Sequence, residues 1–159
     1  MKAAEPRLWR ENDLIVSTDA GRLDVATIHA FLTTSYWSPG IPRRVVEKAI
    51  KGSLCFGAYA APPDAPAGPW TQIAFARVIT DAATFAYLAD VFVLEPWRDR
   101  GVGRFLIRCV VDHPDLQSLR RFMLLTRDAH GLYSRFGFAP CAHPERVMER
   151  LDPDVYKRA

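Results

Sequence analysis

Apolar residues in the first fifty positions change period more than once. Leu14, Ile15 and Val16 form a short β-prone run, closed by Ser17, Thr18, Asp19 and Gly21, residues that favour turns and helix starts. From Asp24 onward Val25, Ile28, His29, Leu32 and Tyr36 recur at three- and four-residue steps. That stripe predicts an amphipathic helix with Asp24 capping its first amides. Ser38-Pro39-Gly40-Ile41-Pro42 breaks it. Pro42 suits the first turn of a second helix, whose apolar face is Val45, Val46, Ala49 and Ile50 and whose end is Gly52.

The middle of the chain reads as strands. Residues 54–60 and 71–79 are β-prone and flank a proline-rich loop at 62–69, predicting a hairpin with a long tip. Residues 85–94 are apolar almost without interruption, the pattern of a strand covered on both faces and the expected centre of a sheet. Val102, Phe105, Leu106, Cys109 and Val110 then mark a helix ending near His113-Pro114. A short strand at 122–126 follows, then a helix capped by Asp128 running through Tyr133 to Phe136 and stopped by Gly137, and a last strand at 147–151. The order is mixed strand and helix around one sheet, an α/β fold.

Length and composition narrow this picture. The 159 residues suit one domain spanning 1–159, and 49% apolar with 25% charged residues is ordinary for a folded chain. The net charge of +3 is spread along the chain with no aromatic-basic stripe, which suits a small anionic ligand and argues against nucleic acid. Cys55, Cys109 and Cys141 are odd in number and far apart, and the four histidines lack metal-ligand spacing, so neither a disulfide framework nor a metal site is expected. The first residues lack an apolar signal core, and no stretch approaches the roughly 20 apolar residues that span a bilayer, so a cytoplasmic protein without membrane partners is expected.

Arg98-Asp99-Arg100-Gly101-Val102-Gly103 joins the apolar strand to the amphipathic helix. The first amides of a helix have no intrahelical partner and sit at the positive end of its dipole, so such a turn favours phosphate oxygens. Arg98, Arg100 and Arg104 add charge there. The turn lacks the Gly-Lys-Ser/Thr ending of a Walker loop and the three-glycine Rossmann pattern. Arg98-x-x-Gly101-x-Gly103, preceded by Val91-Phe92-Val93 and Glu95-Pro96, instead resembles the coenzyme A binding motif of the GNAT N-acetyltransferase superfamily. Ala129, Tyr133 and Phe136-Gly137-Phe138 are similar to its second motif.

The resemblance is strong over 85–138 and loose before it, and it implies a mixed, V-splayed sheet flanked by helices. It implies acetyl-coenzyme A as cosubstrate, with the acyl-pantetheine arm paired to the backbone of Val91, Phe92 and Val93. The pyrophosphate would then lie at Arg98, Asp99, Arg100, Gly101, Val102, Gly103 and Arg104. Thr126 stands where many relatives carry an asparagine that touches this arm; its hydroxyl either bonds the arm or caps the turn. Tyr133 matches the tyrosine that reprotonates the leaving thiolate, with a core tyrosine as the other reading.

The strand Tyr87-Leu88-Ala89-Asp90-Val91-Phe92-Val93 is similar to that of polyamine acetyltransferases, with Ala89 in place of their glutamate. Asp90 is left either to bind or deprotonate the amine or to serve as a structural carboxylate. Tyr36, Trp37, Tyr87 and His130 are candidate acceptor contacts, although an aromatic pair after a helix also suits the core and His130 also suits a solvated helix surface. The expected reaction is acetyl transfer to an amine by direct attack in a ternary complex. A coenzyme A sensor without turnover is the rival, motivated by Ala89. Members of the superfamily often dimerise, which makes a homodimer a candidate assembly.

Overall fold

The computed structural model describes residues 5–61, 64 and 67–159; residues 1–4 of the amino-terminal segment and Pro62, Pro63, Ala65 and Pro66 of the loop expected at the hairpin tip lie outside the described residues. Six strands form one mixed sheet in sequential order: β1 (Leu8–Glu11), β2 (Leu14–Ser17), β3 (Leu54–Ala60), β4 (Thr71–Thr80), β5 (Phe85–Val93) and β6 (Arg121–Leu124). All neighbours are antiparallel except β5 and β6, which run parallel. A parallel pair needs a crossover, and α3 (Val102–Val111) supplies it.

Alternation along the strands sends side chains to two cores. Phe56, Ala58, Ala74, Ala76 and Val78 meet α3 through Val102, Phe105, Leu106, Cys109 and Val110 on one face. Cys55, Phe75 and Phe92 meet α1 (Val25–Leu32) and α2 (Arg43–Lys51) on the other, through Ile28, Leu32 and Val46. Each fully buried aliphatic or aromatic side chain of this kind contributes roughly 1.5–3 kcal/mol, so the two layers together set the sheet's position between the helices.

Local chemistry fixes the helix ends. The Asp24 carboxylate accepts from the Thr27 amide at 3.1 Å and from its hydroxyl at 2.7 Å, which holds the Asp24 pKa low and starts α1 where the pattern predicts. The stripe continues to Tyr36, but the helix stops at Leu32. Ser35 Oγ and Ser38 Oγ donate to the Leu32 carbonyl at 2.7 and 3.1 Å, and Thr34 Oγ1 donates to Phe31 at 3.0 Å, so side-chain donors take carbonyls a longer helix needs.

Four further expectations change. The strand at 85–94 is second from the sheet edge rather than central; β3 and β4 are the more deeply covered strands, and one face of β5 stays half-buried because it borders a cleft. A strand not expected, β1, pairs outside β2. No strand forms at 147–151: Val147, Met148 and Leu151 are 48%, 94% and 70% exposed, and their spacing gives no period-two face to lay on a sheet. Finally, α4 (His130–Ser134) is shorter than expected and starts after Ala129 with no side-chain cap: the exposed Asp128 carboxylate faces Arg127, and Thr126 Oγ1 accepts the Ala129 amide at 3.0 Å in the turn before the helix. No helix among the described residues is long and apolar enough to cross a membrane.

Burial sets an alkaline limit. Cys55 and Cys109 are 5% and 2% exposed, and desolvation raises both thiols from 9.0 to about 12. Below the unfolded value both states hold these protons and nothing is lost. Above it the unfolded chain ionises first, so stability falls by up to about 1.4 kcal/mol per pH unit per thiol until the folded values are reached. Urea unfolding is expected to show a midpoint that drops steeply between about pH 9 and 12, and Cys55→Ala with Cys109→Ala is expected to flatten that drop.

Candidate active site

The site begins with an irregularity in β5. Phe75 pairs with Phe92 and Arg77 with Ala89, so Ala76 alone faces two residues, Asp90 and Val91. This is a bulge, and Asp90 takes a left-handed φ of 53°. One extra residue exchanges the two faces of a strand. Ahead of the bulge, Ala86 and Leu88 belong to the core under α3; beyond it Phe92 packs on the opposite face, stacked on Phe31 at 4.0 Å, while Val91 and Val93 turn toward α3.

A non-glycine residue in this conformation costs roughly 1–3 kcal/mol, and its side chain shows what offsets that cost. One Asp90 oxygen accepts from Arg77 Nε at 2.7 Å and the other from Trp37 Nε1 at 3.0 Å. Arg77 Nη1 reaches Ser53 Oγ at 3.1 Å, and Ser53 Oγ donates to the last turn of α2 at Ala49. The Arg77 and Asp90 side chains are only 15% and 12% exposed, so a carboxylate without its guanidinium here would be costly. The bulge, the α1–α2 loop and α2 are therefore tied into one unit.

β5 and β6 pair only as far as Leu88 and Leu124, while β5 continues to Val93. The strands part beyond that point, giving the V-shaped opening, and a cleft of about 710 Å³ lies there. Its walls include Tyr36, Trp37, Tyr87, Asp90, Val91, Thr126 and Tyr133, bringing together residues from both halves of the chain. Tyr133 is 7% exposed, and desolvation, with smaller contributions from Tyr36 and Asp128, pushes its phenol up to about 12. None of the described residues hydrogen-bonds its hydroxyl. Tyr36 closes one side: its oxygen accepts from the Arg127 amide at 3.3 Å, and the Arg127 guanidinium lies 3.9 Å from its ring centre. Burial also raises the Tyr87 phenol.

At the far end of β5 the turn takes the conformation a phosphate site needs. Gly101 precedes α3 with φ 79°, a region open to glycine at no steric cost, and a Cβ there would meet nothing within 4 Å, so the approach is open. The first intrahelical bond is donated by Phe105, leaving the amides of Val102, Gly103 and Arg104 without partners among the described residues. Arg98 Nε donates to the Val93 carbonyl at 3.0 Å and fastens the turn to the strand. Arg100 lies over Trp97, and Arg104 is exposed. Asp99 is also left-handed, with φ 60°. A Cβ on Gly103 would make ordinary contacts with Val93 and Leu132, so this glycine is not demanded by space.

Not every candidate joins the cleft. His130 is exposed at the start of α4 and does not line it, whereas Thr126 does line it and accepts the Ala129 amide with its hydroxyl oxygen. Other groups stand in the walls without having been site candidates: Arg77, Arg127, Asp128, the apolar face of α2, and Tyr156 from the carboxy-terminal stretch. Arg77 carried a signal, being a lone charge within an apolar strand.

An acetyltransferase (GNAT) domain model matches residues 67–140, covering the opening strand pair, the turn and α4. An acetyltransferase-family protein of Gibberella zeae is 33% identical over 82% of this chain and 81% of its own. The crystal structure of a protein assigned to the GNAT family from Xanthomonas campestris pv. campestris is 49% identical, covers 90% of this chain and 96% of that one, and superposes with a TM-score of 0.82. The chain belongs to the GNAT acetyltransferase family. A Mycobacterium tuberculosis structure solved in complex with CoA shares the fold at 19% identity and a TM-score of 0.57, covering 78% of this chain and 70% of that one.

Within this GNAT chain the Asp90 pair makes a specific demand. Arg77→Met strands a mostly buried carboxylate and is expected to cost about 3 kcal/mol in urea unfolding, while Arg77→Met combined with Asp90→Asn is expected to recover much of that loss.

Proposed function

We propose that this chain is an N-acetyltransferase that moves an acetyl group from acetyl-coenzyme A to an amine held beside it in one ternary complex. The observation that carries the reading is the juxtaposition along one strand. β5 borders an open cleft from Tyr87 through the bulge to Val91, ends two residues later at Val93, and is followed by a turn with three unpartnered helix amides. The backbone of Val91, Phe92 and Val93 would hold the pantetheine arm, and the amides of Val102, Gly103 and Arg104, with Arg98 and Arg100, would hold the pyrophosphate. The bound thioester supplies the activated acetyl group.

Tyr133 is fitted to donate. With its pKa raised to about 12 it stays protonated throughout the neutral range, and it lines the cleft with its hydroxyl uncommitted. It would give a hydrogen bond to the sulfur as the carbon–sulfur bond breaks and the carbon–nitrogen bond forms; the amine loses one proton and the thiolate gains one. An alkylammonium has a pKa near 10.4, so the acceptor must be deprotonated before attack. The apolar wall from α2 disfavours a cation by desolvation and so favours the neutral amine. Asp90 has both oxygens committed, which supports a positioning role: it fixes the Trp37 indole that the acceptor would meet alongside Tyr36 and Tyr87.

That commitment of Asp90 is also what favours the rival reading, a coenzyme A sensor without turnover. Kinetics separate the two. Free thiol release from acetyl-coenzyme A should depend on an added primary amine, and Tyr133→Phe should lower kcat by about 10²–10⁴-fold while leaving coenzyme A affinity unchanged. Saturable cofactor binding with no amine-dependent release across primary, aryl and peptide amines would establish the sensor.

A further inference from the structure

Beyond Phe138 the chain leaves the body of the fold. Every residue from 139 to 155 is exposed, as are the last three, and Tyr156 is the single half-buried position among them. Backbone bonds in this stretch are short-range turns of its own: Arg146 to His143, Val147 to Pro144, Val155 to Asp152 and Lys157 to Asp154. Its ion pairs are internal too, Lys157 with Asp154 and Arg158 with Asp152, and they brace the final turn (Val155–Arg158) that carries Tyr156. Among the described residues, no hydrogen bond or ion pair joins the tail after Phe138 to the rest of the chain.

The tail nevertheless reaches the cleft through Tyr156. Tyr156 packs against the core shared by α1 and α2, as Val45 and Ile50 do, and with them forms part of the cleft wall. Glu149 makes a small electrostatic contribution at Tyr87, which lines the same cleft. With no hydrogen bond or ion pair to the body among the described residues, 139–159 are held by apolar contact, and Tyr156 is the half-buried ring among them, packed at the apolar end of the cleft away from the Tyr133 wall contributed by β6 and α4. A strap held without hydrogen bonds or ion pairs to the body can open at small cost, and the ring it carries meets the wall built by the apolar face of α2.

We propose that the carboxy-terminal tail is a strap whose Tyr156 ring closes the α2 side of the cleft and sets the size of the acceptor, so that Tyr156 determines specificity for amines carrying an apolar body. The proposal rests on the acetyltransferase reading. The acceptor's amino group would lie toward Trp37 and Tyr133, and its aliphatic or aromatic portion would run along Val45, Val46 and Ile50 until it meets Tyr156. Shape and apolar contact, not the phenol hydroxyl, do the selecting.

The test compares wild type, Tyr156→Ala and Tyr156→Phe on a graded series: ethylamine, butylamine, benzylamine and tryptamine. The ratio of kcat/KM for tryptamine to that for ethylamine should rise about tenfold or more in Tyr156→Ala, the scale on which a hydrophobic pocket discriminates size, and stay near wild type in Tyr156→Phe. An unchanged ratio in Tyr156→Ala, with the protein folded by circular dichroism, overturns the proposal. If wild type turns over none of these amines, the acetyltransferase reading fails for this series and the strap is judged by access alone. Titration with 1-anilinonaphthalene-8-sulfonate should then give saturable fluorescence that is at least about tenfold tighter in Tyr156→Ala than in wild type, and equal binding to both overturns the strap.

Discussion

The Asp90 carboxylate, gripped by the Arg77 guanidinium and the Trp37 indole, is the interaction on which the site depends. It stabilises a left-handed residue inside a strand, and that residue reverses the faces of everything after it. Without the reversal, Phe92 would point toward α3 and leave the core of α1 and α2 without its stacking partner, and Val93 would lose its place beside Gly103. The same ion pair reaches Ser53 and α2, so the wall of the cleft and the bend of the strand are held by one set of bonds. A charge pair this well covered adds little net stability over an apolar substitute; what it adds is a defined geometry.

From that geometry the two ends of the site follow. The parallel pairing of β5 with β6 stops at Leu88, and the crossover helix must begin just beyond the free end of β5, so its unpartnered amides open next to the gap the strands leave. Gly101 makes the turn possible by accepting a positive φ. On the other side, Tyr133 is dry enough to remain a proton donor, because α4 and Phe138 cover its ring. In the proposed reaction, charge recognition would lie at the wet end of the site and proton chemistry at the dry end.

Much of this was legible in the chain. Helix faces at three- and four-residue spacing placed α1, α2 and α3, and Arg98-x-x-Gly101-x-Gly103 after an apolar run located the turn, because glycine and helix-start signals are local. What misled were non-local effects. Strand 85–94 reads as covered on both faces because a cleft wall and a core wall are both apolar, and only the register reveals the bulge that separates them. α1 ends early because two serines reach back to Leu32, and α4 starts after Ala129 without a side-chain cap, Thr126 bonding the turn before it. The partner of Asp90 lies thirteen residues upstream across a hairpin, and Tyr156 reaches the cleft from a stretch with no periodicity at all.

The central claim is that the opening of β5 and the turn after it form a coenzyme A site, and calorimetric titration of acetyl-coenzyme A into wild type and Gly101→Trp tests it most directly. Saturable binding by wild type that is lost in Gly101→Trp, with the variant still folded, is the result this account predicts, since an indole at Gly101 would fill the open approach to the helix amides. Failure of the wild type to bind, or equal binding by both proteins, would contradict it.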